Sequence, residues 1–557
     1  MSRISPIDWK PVDLELTPEA LEIVKTNENF FVIAGPGAGK TEIMAQRVCY
    51  LLQTGICSFP FRILGLSFKR DASSNLRERV LKRCGRKLAA QFDSFTYDAF
   101  AKSLLDRFRL GLPEWIRPYP NYKIDNREGE EIEQEVLNFK EITSLVIKLF
   151  KYNRPILNAI RSTYKYVLLD EFQDTTDLQY KLIKNAFKDT NSILTAVGDN
   201  KQQIMCWAGA IPEIFQRFEK DFNGKKKYLW INYRSKKRLQ YIQSLFANDL
   251  DDSIEIRKLE NWEEKDGICL ILNFSDEDCE ADHLSDIIEN LIENQEIKPE
   301  EISILTRIKR SEYRDKLLES ITEKNILIRT EDDYQEIIAE PINRMLLHFF
   351  KLSLKDKDPE ASIFIRDLLF HIKAYNEETS LGKIRNLYSN LTKFSEDIKK
   401  FIFESHNKED LGKVIQMIID YIGKDELITL YPQYIQEYWL KDRINKLIEF
   451  FWDYYEQCND WNKALDLLIG KDTVLLMTIH KSKGLEFDTV ILVGLEDGAF
   501  WSNNREDLCT FFVALSRAKF RVLITYCQRR DGRTQLMMKT KKIYDIFRKA
   551  GVKVVDF

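Results

Sequence analysis

Two short segments carry residue types that together could transfer a phosphoryl group to water. The first, Ala34-Gly35-Pro36-Gly37-Ala38-Gly39-Lys40-Thr41, ends in a lysine and a hydroxyl. The second, Asp170-Glu171-Phe172-Gln173-Asp174, offers adjacent carboxylates. In Gly35, Pro36, Gly37, Ala38 and Gly39 the glycines let backbone N–H groups curl around phosphate oxygens. Lys40 can reach the β- and γ-phosphates, and the Thr41 hydroxyl can ligate Mg²⁺. Asp170 can hold the same cation, and Glu171 can orient or deprotonate the attacking water. Ala34 stands where the general phosphate-loop pattern has its first glycine. The pair predicts hydrolysis of a nucleoside triphosphate.

Such residues work only if the right elements present them. The first segment follows an apolar, β-prone run, Phe30-Phe31-Val32-Ile33, and precedes a helical pattern from Glu42 to Leu52. Strand, glycine-rich loop and helix are the context a phosphate loop requires. The second segment ends another apolar run, Tyr166-Val167-Leu168-Leu169, so its carboxylates emerge at the carboxyl edge of a sheet, where ligands bind in open α/β folds.

Short apolar runs recur in two blocks. Residues 30–33, 63–68, 166–169, 193–197 and 228–231 are predicted strands of the first; 268–273, 302–306, 474–479, 489–493 and 522–525 are those of the second. Strands alternating with helical patterns predict parallel sheets covered on both faces. The expected fold is α/β: two doubly wound parallel-sheet domains, each interrupted by a helical insertion. The first comprises residues 1–103 and 163–262 around an insertion at 104–162. The second comprises residues 263–336 and 471–557 around an insertion at 337–470.

Composition sets limits. A chain of 557 residues exceeds one hydrophobic core. Its 44% hydrophobic and 31% charged content is that of a globular protein. The formal net charge of −4 argues against a protein that coats nucleic acid, while leaving room for a local strand channel. The acidic runs 128–133 and 276–280 and the basic run 225–227 read as solvated surface. Nine cysteines without a C-x-x-C pair and five histidines without ligand spacing indicate neither zinc nor an iron–sulfur cluster. Dispersed thiols fit a reducing compartment, and neither a membrane-length apolar run nor a secretory leader is present, so the expected location is cytoplasmic, with no membrane partner.

Further segments stand in a telling order. They are Leu66-Ser67-Phe68-Lys69; Asp93-Ser94-Phe95-Thr96; Val197 to Ile204 with Trp207-Ala208-Gly209-Ala210; Asn232-Tyr233-Arg234-Ser235; Thr478 to Phe487; and Val513 to Lys519. Together with the first two, the set resembles the motifs of superfamily 1 helicases of the UvrD/Rep type. The resemblance spans both sheet-containing blocks and neither insertion. It implies two RecA-like domains that use ATP and Mg²⁺ and act on single-stranded or tailed duplex DNA.

Site roles follow from that resemblance. Gln202 corresponds to the glutamine that contacts the γ-phosphate and the water. Arg234 and Arg517 correspond to arginines facing the γ-phosphate, where a guanidinium stabilises the charge of the transferring group. Tyr233 corresponds to the aromatic that stacks on the base, and Glu486 to the carboxylate that bonds the ribose. Phe68 and Trp207 correspond to aromatics that stack on bases of a single strand. Ser94, Thr96, Thr478, His480 and Lys483 are candidate backbone-phosphate contacts. Taken alone, Phe68 would read as core and His480 as a structural histidine.

The departures matter too. Ala20 stands where the family has an adenine-reading glutamine. Met205 and Ala208 replace an aromatic and an arginine, Thr96 a histidine, and Lys309 an asparagine. These fall on the strand-binding side or the base edge, and both insertions are short for the family. The leading expectation is an ATP-dependent 3′–5′ DNA helicase or translocase. The alternative is a DNA-stimulated ATPase that senses ends or single strands and regulates a separate nuclease. Compact chains of this kind resemble helicase subunits beside nucleases in phage-defence systems such as Gabija.

Overall fold

Apolar runs bounded by turns set the architecture. The computed structural model describes residues 4–125, 134–257, 261–331, 334–355, 358–375, 379–500 and 505–557. The acidic run 128–133 lies outside the described residues.

The first sheet has six parallel strands: β1 (Phe30–Ala34), β2 (Arg62–Ser67), β3 (Phe92–Thr96), β4 (Tyr164–Leu169), β5 (Ile193–Gly198) and β6 (Lys225–Leu229), in the order β3-β2-β4-β5-β1-β6. Every residue of β1 is buried because helices cover both faces. Alternation divides the strand: Phe30, Val32 and Ala34 join the core under α1 (Pro18–Lys25), α2 (Lys40–Gln53) and α3 (Arg70–Ala89). Phe31 and Ile33 face the opposite core, built with α4 (Tyr97–Phe108) and helices Phe139–Tyr152 and Ile214–Phe222.

The second sheet has seven parallel strands: β7 (Ile268–Phe274), β8 (Ile302–Thr306), β9 (Ile328–Thr330), β10 (Val474–Thr478), β11 (Phe487–Val493), β12 (Ala518–Cys527) and β13 (Lys553–Asp556), in the order β9-β10-β8-β11-β12-β7-β13. Between β9 and β10 lies a block of helices with its own core, including Ile342, Leu346, Phe350, Ile415, Leu447 and Phe451. Among its described residues the first insertion carries helices and one two-residue parallel pair, Lys123–Ile124 with Val136–Leu137. The two insertions touch: Phe139 and Trp439 pack edge to face with centroids 5.8 Å apart. The second also docks on α3 through the ion pairs Arg344–Glu78 and Arg86–Asp367.

The structure corrects three expectations. The predicted strand at 228–231 is β6 at Lys225–Leu229, so Lys225 to Lys227 lie on an edge strand. Lys225 pairs with Glu28, and Lys227 with Glu22. Lysines on an edge strand deter pairing with another chain, and they hid this strand from an apolar pattern. The run 276–280 is only partly solvated: Glu280 is buried and paired with Arg530 at 2.8 Å. Finally, helix Lys237–Leu250 buries Leu239, Ile242 and Phe246 in the core of the second sheet. By packing, the crossover between blocks comes at Asn232–Lys236, ahead of the expected boundary after residue 262.

Candidate nucleotide site and strand-facing surface

The glycine-rich loop runs from the end of β1 into α2. Ala34 is the last residue of β1, buried and opposite Leu229, in a position where a methyl group fits. Gly37 and Gly39 have φ of +68° and +76°, which glycine adopts at little cost. A Cβ on Gly37 would also lie 2.3 Å from Asn232 Oδ1 and 2.7 Å from Arg234 Cβ. The loop is therefore pressed against the segment that carries Tyr233 and Arg234, and the Tyr233 N–H donates to Gly37 O at 3.0 Å. Lys40 and Thr41 open α2, where free backbone N–H groups and the helix dipole favour an anion.

The carboxylates leave the end of β4. Asp170 is 1% exposed, and the Glu171 N–H donates to its Oδ1 at 2.9 Å. Burial, and then the charge of Glu171, push the Asp170 carboxyl up. Glu171 is held down: burial opposes its ionisation, but Lys40, Lys483, the Gln173 amide and Arg517 outweigh that. Lys40 Nζ stands 3.8 Å from Glu171 Oε1. Glu171 has φ +46° and ψ 44°, a left-handed conformation that strains a residue with a side chain. Gln173 fixes it from below, donating to Glu171 Oε2 at 2.5 Å and accepting from the Asp199 N–H at 3.0 Å.

Two arginines close the site. Gln202, 2% exposed, donates to Asp199 Oδ2 at 2.8 Å. Its Oε1 accepts from Arg517 Nη2 of the second block at 2.9 Å. Burial, aided by Arg234, lowers Arg517 to about 9, so it stays charged at neutral pH. Arg234 donates to Glu486 at 2.8 Å and to Ser516 O at 2.9 Å. Asn232 Oδ1 accepts from the N–H groups of Arg234 and Ser235, setting the turn that aims Arg234. Phosphate loop, carboxylates, glutamine and both arginines thus converge on the cleft between the two sheets.

Comparison with known proteins gives the same picture. The UvrD/REP helicase N-terminal domain matches residues 16–116 and 122–223, and the UvrD-like helicase C-terminal domain matches residues 456–529. The chain belongs to the UvrD/Rep helicase family. It is 25% identical to the ATP-dependent DNA helicase Rep of Buchnera aphidicola (subsp. Schizaphis graminum), over 92% of each chain. It is 25% identical to a probable DNA helicase II homolog of Mycoplasma capricolum, over 92% of this chain and 84% of that one. With DNA helicase II of Escherichia coli the identity is 24%, over 91% and 84%. As a UvrD/Rep helicase it is an enzyme of the ATP-dependent DNA helicase class. No helix among the described residues is long and apolar enough to cross a membrane.

The residues expected to meet a strand divide. Trp207 is 71% exposed, with its ring edge-on to His480 at 6.2 Å. Tyr233 is 68% exposed beside the nucleotide loop. Phe68 is half-buried and packs against the core of the second sheet, so it also serves as a contact between blocks. Ser94 bonds Ser73, its hydroxyl donating to Ser73 O at 2.8 Å. The Thr96 hydroxyl caps α4, accepting from the Ala99 N–H at 3.1 Å. Thr478 ends β10. Burial, and then Arg307, lower His480 to about 4, so it is neutral at pH 7.

Lys483 is a correction. It is 4% exposed, and its ammonium lies 2.5 Å from Asp174 Oδ2 and 2.7 Å from Gln202 O. Burial in that pair removes it from the candidate phosphate contacts and places it behind the hydrolytic residues. Ala20 is 5% exposed and packs in the core beside α2, so position 20 faces inward. Sequence reasoning gave no role to Gln173, Asn232 or Lys69. All three lie inside segments already singled out, and position within those motifs was the available signal.

Proposed function

We propose that this helicase couples ATP hydrolysis to 3′–5′ movement along single-stranded DNA and opens tailed duplexes. The contact of Arg517 with Gln202 carries the reading, because it makes a hydrolytic site out of two blocks. Hydrolysis in such a site alters the spacing of the sheets, and a strand gripped on both is displaced.

The donor set fits Mg²⁺. Thr41 and Asp170 supply hard oxygen ligands, and no ion pair to the buried Asp170 is formed among the described residues. A bound Mg²⁺ would neutralise charge on the β- and γ-phosphates. The chain's own groups do the rest. Lys40 binds the phosphates, Glu171 accepts the proton of a water held with Gln202, and Arg234 and Arg517 stabilise the equatorial oxygens. Tyr233 offers a ring to the base, and its exposure suits stacking on any base.

A second reading has its own support. Met205 is buried, and Ala208 packs against the second core, which leaves Trp207 as the exposed aromatic of that turn. A weaker grip suits a strand-stimulated ATPase that regulates a partner nuclease. ATP turnover with and without single-stranded DNA, measured beside displacement from 3′- and 5′-tailed duplexes, separates the two. Displacement from the 3′-tailed duplex alone supports the helicase reading. Stimulated turnover without displacement supports the second, and turnover indifferent to DNA rejects both.

A further inference from the structure

Two lysines cross the cleft in opposite directions. Lys69 immediately follows Ser67-Phe68 at the end of β2 and precedes α3. Its ammonium reaches the second block, donating to Lys483 O at 2.8 Å and to His480 O and Lys481 O at 3.4 Å. Lys483, from that same turn, sends its ammonium back to Asp174 and to Gln202 O in the first block. The turn between β10 and β11 is thus gripped by one lysine through its backbone, and it grips the hydrolytic motif with another.

The acceptors make this arrangement directional. Three converging carbonyls fix the turn's backbone rather than one flexible side chain, so the turn moves with the end of β2. Asp174 is buried, and burial pushes its carboxyl up, so its charged form depends on the Lys483 ammonium and, more weakly, on that of Lys69. Displacing the turn would pull Lys483 from a buried carboxylate, and a buried charge left unpaired is costly. The end of β2 also carries Phe68, while the turn carries His480 against Trp207. Strand-facing side chains and the Asp174–Gln202 pair therefore share one rigid link.

We propose that Lys69 is a positioning residue that ties strand occupancy to hydrolysis, by holding the His480–Lys483 turn in the register that seats Lys483 on Asp174 and Gln202. This rests on the strand-stimulated ATPase proposed above. It needs no contact between Lys69 and either nucleotide or strand.

The test uses the full-length chain, a labelled oligothymidylate strand, and the variants Lys69→Met and Lys69→Arg. In Lys69→Met the ratio of strand-saturated to strand-free kcat falls roughly tenfold or more, while the Kd for the strand stays within about twofold. Lys69→Arg, which keeps the charge and the donors, recovers part of the ratio. An unchanged ratio in Lys69→Met overturns the inference. So does a weakened Kd with the ratio intact at saturation, which would make Lys69 a phosphate ligand. Parallel losses in strand Kd, KM for ATP and Tm that Lys69→Arg does not rescue would reduce it to a structural strut. If the wild type itself is not stimulated, the proposed function falls first, and that result is read before any variant.

Discussion

Arg517 and Gln202 come from different sheets and meet at 2.9 Å, with the glutamine's other end on Asp199. Their contact places a cation from one block against a buried amide of the other. Arg517→Ala should lower kcat for ATP by roughly 10³–10⁵ with a smaller change in KM. Steady-state ATPase measurements check this, and a change confined to KM would show that Arg517 only helps to bind nucleotide.

Lys40 and Glu171 should separate binding from turnover. Lys40→Ala removes a charged donor to the phosphates and should weaken ATP binding roughly 10- to 150-fold. Glu171→Gln keeps the shape, and the Gln173 contact, but loses the base. It should bind ATP normally and lose roughly 10²–10⁴ in kcat. Near wild-type turnover in Glu171→Gln would reassign the water-activating role.

Phe68 and Trp207 should not behave alike. Trp207→Ala removes an exposed ring, so strand affinity should fall by roughly 1–3 kcal/mol while Tm is unchanged. Phe68→Ala also removes packing between the blocks, so its weaker binding should come with a lower Tm. The comparison is a strand titration beside thermal unfolding. A lowered Tm in Trp207→Ala would mark that ring as core.

His348 gives a pH dependence away from the site. It is buried and stacked on Phe364 at 4.0 Å, with Nδ1 lacking a partner among the described residues. Burial, and then Lys351 and Arg344, lower it to about 3 from an ordinary 6.5. The unfolded chain therefore binds the proton more readily between those values. The stability tied to neutral His348 is present above about pH 6.5 and is lost as pH falls toward 3. His348→Phe keeps the stack, so its Tm should gain on the wild type as the pH is lowered from about 7 to about 5, the range in which unfolded histidine charges. A constant Tm difference across that range would rule the histidine out.

The nucleotide-facing half of the site was legible because its chemistry is local. A phosphate loop needs particular residues at fixed spacing, and Asp170 and Glu171 follow a strand that reads as apolar. Buried central strands stood out for the same reason. The edge strands β3, β6, β9 and β13 were missed or misplaced, since Asp93 and Lys225 to Lys227 break an apolar pattern that an edge does not need. The burial of Lys483 and the reach of Lys69 were illegible because each partner lies hundreds of residues away. A basic residue beside a strand-binding motif looks the same in sequence whether it meets a phosphate or a buried aspartate.

The insertion between β9 and β10 leaves and rejoins the second sheet through neighbouring parallel strands, with Arg329 opposite Leu475. Arg329 pins the returning chain by donating to Leu467 O and Leu468 O at 2.8 and 2.7 Å. The sheet therefore holds the two ends of the insertion together whatever lies between them. In evolutionary terms this is a graft point. Helices can be gained, shed or resurfaced there without shifting the register of β10, and new partners can be acquired while the hydrolytic cleft is inherited unchanged.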